Sequence, residues 1–504
     1  MFFRLLALFE YDTENPAEVI FVIPKADGNG FYSGRWRIDY KAPKWFKFTN
    51  LMFKSFLHPD LLNGSILKSI VFFTLPLLVS YIFQQLYNAA DTVIIGHFLG
   101  ENSLAAVGAC TALYDLLVGF GVGFGNGLAI TAARAFGAND TEKLKKIVAS
   151  SLVITAAVTI LITAFSHFFL FDILEKLGTP SKIISESYSY IAAITSWAGV
   201  LFAFNLFSGM LRAIGNSFVP LLFLILASLI NIFLDIVFIT KFQMGIHGAA
   251  VATVIAQGVS GILCLFYILR KAKILIPSLK SFKFDKKLYA DLIGQGLSMA
   301  FMSSLVQSGT VILQKAINGF GEAIIAGHNC ARKIFSLTNI PLITLGIAFS
   351  TYVSQNYGAG RIQRIKKGIL CGFLITAIWN IAMLIFIPIA IKPLGAFISG
   401  SSNPEILNYT FRYMMFAVFF YFPLGAIFVI RNSLQGLGQK ILPLVSSLIE
   451  LLGKIIFTAL IIPKVGIWGV IMCEPLIWCA MCIHLLYALF TNKVLKLKDY
   501  NNYR

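Results

Sequence analysis

The chain has 504 residues, of which 58% are hydrophobic, 14% aromatic and only 13% charged, and its mean hydropathy is +0.80. Soluble proteins carry about 25% charged residues, and half that amount cannot cover a water-facing surface. The same figures exclude disordered, collagen-like and disulfide-framework chains, which leaves a polytopic membrane protein. Its net charge of +18, from 41 basic and 23 acidic residues, is first a question of which loops hold the cations.

Residues 1–67 are polar and mixed. The opening MFFRLLALFE is too short and too soon acidic for a signal peptide. KADGNGFYSGRWR reads as turns, and the whole segment as a cytosolic tail or as sequence ahead of a true start at Met52. Twelve apolar segments follow, at approximately 68–95, 104–133, 147–170, 186–212, 218–240, 246–269, 289–317, 322–353, 368–391, 405–431, 441–463 and 467–490. Each has the length of about 20 residues or more that a helix needs to cross a bilayer. Pro76, Pro341 and Pro423 interrupt three of them, and such interruptions mark bends. The basic stretch 270–288 is a linker between an N-lobe, 68–269, and a C-lobe, 289–492, and 493–504 forms a C-terminal tail.

An internal repeat organises these segments. AFGANDTEKLKKI (135–147) recurs as NYGAGRIQRIKKG (356–368), LGE (99–101) as FGE (320–322), and GIHG (245–248) as GIWG (466–469), each at an offset of 221. LRAIGNSFVPL (211–221) recurs as LQGLGQKILPL (434–444) at 223. Six spans per half bring the second half in from the same side as the first. The predicted fold is therefore all-α and integral to the membrane: twelve transmembrane helices in two six-helix lobes, related by a parallel repeat about the membrane normal. With both termini cytosolic, 22 lysines and arginines fall on inner loops, Arg212 and Arg431 among them, against six on the outer side. That bias suits a plasma-membrane protein and accounts for much of the +18 without nucleic acid.

Charges inside the spans are costly and are functional candidates by default. Asp91 closes a polar stripe with Gln84 and Asn88 at helical spacing in the first span. Asn231 and Asp235 stand i, i+4 on the fifth, and Thr253 on the sixth adds a hydroxyl. Two carboxyls, an amide oxygen and a hydroxyl make a site for a hard cation such as Na⁺. Two carboxyls in one pocket also allow one of them to carry a proton, so the coupling ion is Na⁺ or H⁺.

In the second lobe Glu450 aligns with Asn231 and Lys454 with Asp235, a pair that neutralises itself. Ion coupling is thus expected in the N-lobe alone. Glu474, Asp115, Arg332 and Arg412 receive no role. In GFGVGFGNG (119–127) the pairs Gly121/Gly125 and Gly123/Gly127 allow close helix approach. His97 and His247 read as interfacial. The seven cysteines, including the CxxC of Cys479 and Cys482, read as packing residues. No GxxxxGK[ST] or HExxH occurs, so neither an ATP-driven pump nor a zinc hydrolase is indicated, no enzyme activity is expected, and no cofactor is expected beyond the coupling ion.

Pro76 through YNAADTVIIGHFLG, the AARAFGAND loop, LRAIGNSFVP and the duplicated lobes resemble the MATE family of multidrug and toxic compound extrusion transporters, over about 68–492. The pattern is similar to the DinF-like and archaeal-type members. The resemblance implies an antiporter that expels organic, often cationic amphipathic compounds, working as a monomer in the lipid bilayer. It implies a cation site at Asp91, Asn231, Asp235 and Thr253, a substrate cavity lined by Gln84, Tyr87, Tyr190 and Asn205, and a first helix that bends at Pro76. The NorM-like acids of the seventh and tenth spans are absent. A flippase of lipid-linked oligosaccharides is the alternative; its cavity would need a basic lining, for which Arg332 and Arg412 are the candidates. A membrane scaffold or receptor gives no reason for acids in one lobe only.

Overall fold

A computed structural model describes residues 59–497 in full and the backbone of two strands nearer the N-terminus. The chain divides into two units, Met1–Ser55 and Phe56–Arg504. In the first, β1 (Glu18–Pro24) pairs antiparallel with β2 (Phe31–Arg37), with Phe21 opposite Gly34. The second strand corrects the expectation of turns throughout KADGNGFYSGRWR: Phe, Tyr and Trp at 31, 32 and 36 favour a pleated strand. Residues 25–30 and the start expected at Met52 lie outside the described residues.

The second unit is helical. The N-lobe runs α1 (Ile66–Leu99), α2 (Glu101–Gly137), α3 (Thr141–Lys176), α4 (Ile184–Ser196), α5 (Ala198–Ala213), α6 (Phe218–Thr240) and α7 (Gly245–Lys271). Two short 3₁₀ turns form the linker, Lys273–Leu275 and Leu279–Phe282. The C-lobe follows as α8 (Lys286–Ile317), α9 (Glu322–Gly358), α10 (Ile362–Ser399), α11 (Pro404–Phe419), α12 (Tyr421–Gly436) and α13 (Ile441–Ile456). A π turn at Phe457–Ile461 leads into α14 (Ile462–Val465), and α15 (Ile467–Thr491) ends the bundle. Caps fix several starts: the Asp140 carboxylate accepts from the Lys143 N–H, and that of Asp285 from Lys287 and Leu288. Among the described residues ten helices are long and apolar enough to span a membrane, and the pairs α4/α5 and α11/α12 bring the total to twelve if each is one span.

Those two pairs are bent by 46° and 55°. The hinges are Trp197 (φ −107°, ψ 23°) and Phe420 (φ −95°, ψ 8°), 223 residues apart, both in the sparsely allowed bridge region. Proline was a partial guide. Helices α1 and α9 run on through Pro76 and Pro341, Pro423 stands just after the second hinge, and the first hinge has no proline. The repeat motifs share a physical cause. Each contains a residue with positive φ at a helix boundary, at Gly100/Gly321, Asn139/Gly360, Gly215/Gly438 and Gly245/Gly466. Only glycine, or asparagine at a cost, sits there without steric penalty. Gly178 and Gly400 form a fifth such pair, offset by 222.

One apolar core joins α2, α3, α4, α5 and α7, and another joins α9, α11, α12 and α15. A third ties the start of α1 (Ile70, Phe73, Leu77) to Phe349, Tyr352 and Ile369 of the C-lobe. The glycines of α2 divide between two partners. A Cβ at Gly121 or Gly125 would meet Leu201 or Asn205 of α5 at 3.6 and 3.1 Å. At Gly123 or Gly127 it would meet the α8 backbone, at Met299 O or Gln295 O, at 2.6 Å. One pair packs the lobe together and the other crosses to the opposite lobe. At the loop end of the crossing, Gly137 lies against Gln355 and its repeat mate Gly358 against Arg134. There the Ser354 hydroxyl donates to Ile130 O at 2.6 Å and the Gln355 amide to Ala213 O at 2.8 Å. Asp291 of α8 pairs with Lys440 at 2.7 Å and, more loosely, with Arg134 at 3.9 Å.

Candidate functional site

Three elements of the N-lobe bring Asp91, Asn231, Asp235 and Thr253 together. Asn231 and Asp235 lie one turn apart on α6, 1% and 0% exposed. Thr253, on α7, receives a long hydrogen bond from the Asn231 amide at 3.4 Å. The side chain of Asp91, on α1, reaches Asp235 and Thr253. Among the described residues, Asp91 Oδ1, Asn231 Oδ1 and both carboxyl oxygens of Asp235 are buried without a hydrogen-bond donor. A buried acceptor left unmade costs about 1–3 kcal/mol, and more if charged. Four in one place are open acceptors for a cation, for protons or for water. A cavity of about 20 Å³, enough for one water-sized particle, adjoins them and is lined by Tyr87, Asn231, Thr253 and Gln257 among others.

The polar stripe of α1 is split between two destinations. Gln84 and Asn88 line a larger cavity of about 500 Å³ between the lobes, with Tyr81, Gln85, Tyr114 and Asp115. Asp91 turns instead toward α6. Tyr87 stands between the two, its hydroxyl near Gln84, Gln257 and Tyr114. Tyr190 is buried beside Asp91 and Asp235. Asn205 is in the α2–α5 seam, its amide donating to Leu201 O at 2.9 Å and its Cβ packed where Gly125 leaves room. Pro76 is buried inside α1, about four turns before Asp91.

The C-lobe wall of the larger cavity holds a network of which sequence spacing announced only the Glu450–Lys454 pair. Glu474 accepts from Arg332 at 2.7 Å and from the Tyr413 hydroxyl at 2.9 Å through Oε2, and pairs with Lys454 at 3.2 Å through Oε1. Lys454 also pairs with Glu450 at 3.0 Å and donates to Thr310 at 3.3 Å. The expected Glu450–Lys454 pair is present, as half of a four-charge cluster that sums to zero. Arg412 is exposed, away from this wall. Arg431, expected on an inner loop, lies inside α12 and lines the cavity. Arg212, expected on another, turns inward from α5 and donates to Ser208 and Asn126. Both arginines looked like loop charges because each stands at the end of an apolar run, and position along a run does not tell which way a side chain points. All seven cysteines are free thiols, and no metal-holding group of three or more His, Cys, Asp or Glu is found among the described residues.

Two helical lobes of six spans with a polar cavity between them define a transporter of the repeat-built kind. The MatE family model matches residues 76–237 and 298–460, one match per lobe, and the chain belongs to this family of MATE transporters, which are not enzymes. It is 27% identical over 419 residues to the probable multidrug resistance protein YoeA of Bacillus subtilis, covering 80% of this chain and 90% of that one. It is 21% identical to the multidrug export protein MepA of Staphylococcus saprophyticus, over 86% of this chain and 96% of that one. A multidrug resistance MATE family transporter of the MOP superfamily, solved in an outward-facing conformation, superposes with a TM-score of 0.79 at 22% identity, over 86% of this chain and 98% of that one.

Proposed function

We propose that the protein exports organic, often cationic amphipathic compounds in exchange for Na⁺ or H⁺, by alternating access. Relatives named for multidrug resistance and multidrug export support the substrate class. The observation that carries the coupling is the cluster of four donorless oxygens on Asp91, Asn231 and Asp235. Asp91, Asn231, Asp235 and Thr253 hold the ion: the carboxyls supply charge, the amide and hydroxyl oxygens complete a hard-ligand shell. Alternatively, the two carboxyls share protons.

Exchange follows from differential binding. The ion occupies the N-lobe pocket and favours one arrangement of α1, and the compound occupies the neighbouring cavity and favours another. Tyr87 lines the small pocket, and its hydroxyl is near Gln84 and Tyr114 of the larger cavity, so a shift of α1 is felt in each. The tight crossing at Gly137 and Gly358 is at the lysine- and arginine-rich loops. With those loops cytosolic, the lobes are closed inward and the cavity belongs to an outward-facing state. The protein then works as a monomer in the plasma membrane, with both termini cytosolic and without a cofactor. The flippase alternative is disfavoured by the cavity wall, where Asp115, Glu450 and Glu474 balance Arg332, Arg431 and Lys454.

The test is dye transport by the purified protein in proteoliposomes. A fluorescent organic cation should move against its gradient when a Na⁺ or a H⁺ gradient is imposed, and this movement should vanish in Asp91→Asn. Full exchange by that variant would sink the mechanism.

A further inference from the structure

Six charged side chains line the central cavity, and they are not equally occupied. Arg332, Lys454, Glu450 and Glu474 satisfy one another through the ion pairs described above. Arg431 and Asp115 form no ion pair with any described residue. Arg431 has a buried Nε without an acceptor, and its guanidinium sits over the Phe428 ring, 5.5 Å from the centroid. Glu450 acts on Arg431 through its charge but forms no ion pair with it, and its Oε1 is bound to Lys454. The contrast with Arg212, on the corresponding helix of the other lobe, is direct: that arginine is bonded to Asn126 and Ser208. Asp115 is exposed to the cavity from the N-lobe side, beside Tyr114.

An unpaired guanidinium in a chamber bounded by lipid-embedded helices is expensive unless something answers its charge. Its planar fork matches a carboxylate or phosphate bidentately. Tyr114 and Trp478 line the same cavity and give a flat apolar body aromatic surface to pack against.

We propose that Arg431 docks an acidic group of the transported compound while Asp115 faces its cationic centre, so that the cavity prefers amphoteric amphipaths over simple cations. The proposal rests on the antiporter reading for what is moved, and on the cavity alone for what is bound.

Binding therefore tests it separately from transport. The probes are rhodamine B, which has a free carboxylate, and its ethyl ester, which keeps the cation and loses the acid. Their affinities for the purified protein are read by fluorescence anisotropy. The wild type should bind the acid more tightly than the ester. Arg431→Gln should weaken the acid about tenfold and the ester less than about twofold, with Arg431→Lys between. Asp115→Asn should weaken both dyes. Equal loss of both dyes in Arg431→Gln overturns the proposal, as does a wild type that binds the ester as tightly as the acid. The wild-type comparison decides even if the glutamine variant does not fold. Selective binding of the acid without gradient-driven movement of either dye would sustain the role of Arg431 and defeat the antiporter reading.

Discussion

Glu474→Gln is the sharpest test of the C-lobe network. The substitution keeps volume and removes one charge. In the native protein Glu474, 4% exposed, answers Arg332 at 2.7 Å, Lys454 at 3.2 Å and the Tyr413 hydroxyl at 2.9 Å. An amide has a single acceptor oxygen, so it cannot serve all three. Lys454, 1% exposed, is left with Glu450 and Thr310, and Arg332 loses its only ion pair among the described residues. Removing one member of a buried ion pair costs about 3–5 kcal/mol. Arg332 keeps 30% of its side chain exposed, and water there screens part of the loss, which places the expected cost near ~3 kcal/mol. Equilibrium unfolding in mixed micelles measures it, with Arg412→Gln as the exposed control, expected within about 0.5 kcal/mol of wild type. Pairing Glu474→Gln with Arg332→Met should restore about 1 kcal/mol or more, because the second change removes the stranded cation. If Glu474→Gln unfolds like wild type, the cluster is solvated and the argument from burial is wrong.

The remaining predictions concern packing and coupling. Gly127→Val drives a side chain into the α8 backbone, 2.6 Å from Gln295 O, and should cost about 1–3 kcal/mol in a thermal melt. Gly121→Ala, whose Cβ would lie 3.6 Å from Leu201, should melt within about 0.5 kcal/mol of wild type; reversed ranks would refute the division of the α2 glycines between two helices. Asn231→Ala removes one oxygen of the proposed ion site and the donor to Thr253. It should lower gradient-driven export about tenfold while dye affinity changes less than about twofold, and a fall in both together would make Asn231 a substrate contact instead.

What was legible in the sequence had a local physical cause. The repeat could be read because a helix that ends in a left-handed turn demands glycine, and Gly100/Gly321 or Gly215/Gly438 recur wherever that turn recurs. Asp91 and Asp235 stood out because a carboxyl in an apolar run needs a reason. The small-residue pairs of α2 were legible as close contacts, though not which pair would cross between lobes. What was hidden depended on distant parts of the chain. Glu474 meets Arg332 across 142 positions, and no periodicity relates them. Arg431 and Arg212 end apolar runs and so looked like loop charges, although both point inward. The hinge at Trp197 carries no proline, and its one signal was the hinge at Phe420 in the other lobe.

The central claim is that ion and compound are exchanged through the N-lobe carboxyls. The measurement that bears on it most directly is uptake of a fluorescent organic cation into proteoliposomes under separately imposed Na⁺ and H⁺ gradients, for the wild type, Asp91→Asn and Asp235→Asn. The account predicts uptake by the wild type under at least one gradient and none above the gradient-free background in either variant. Uptake by both variants at the wild-type rate would contradict it.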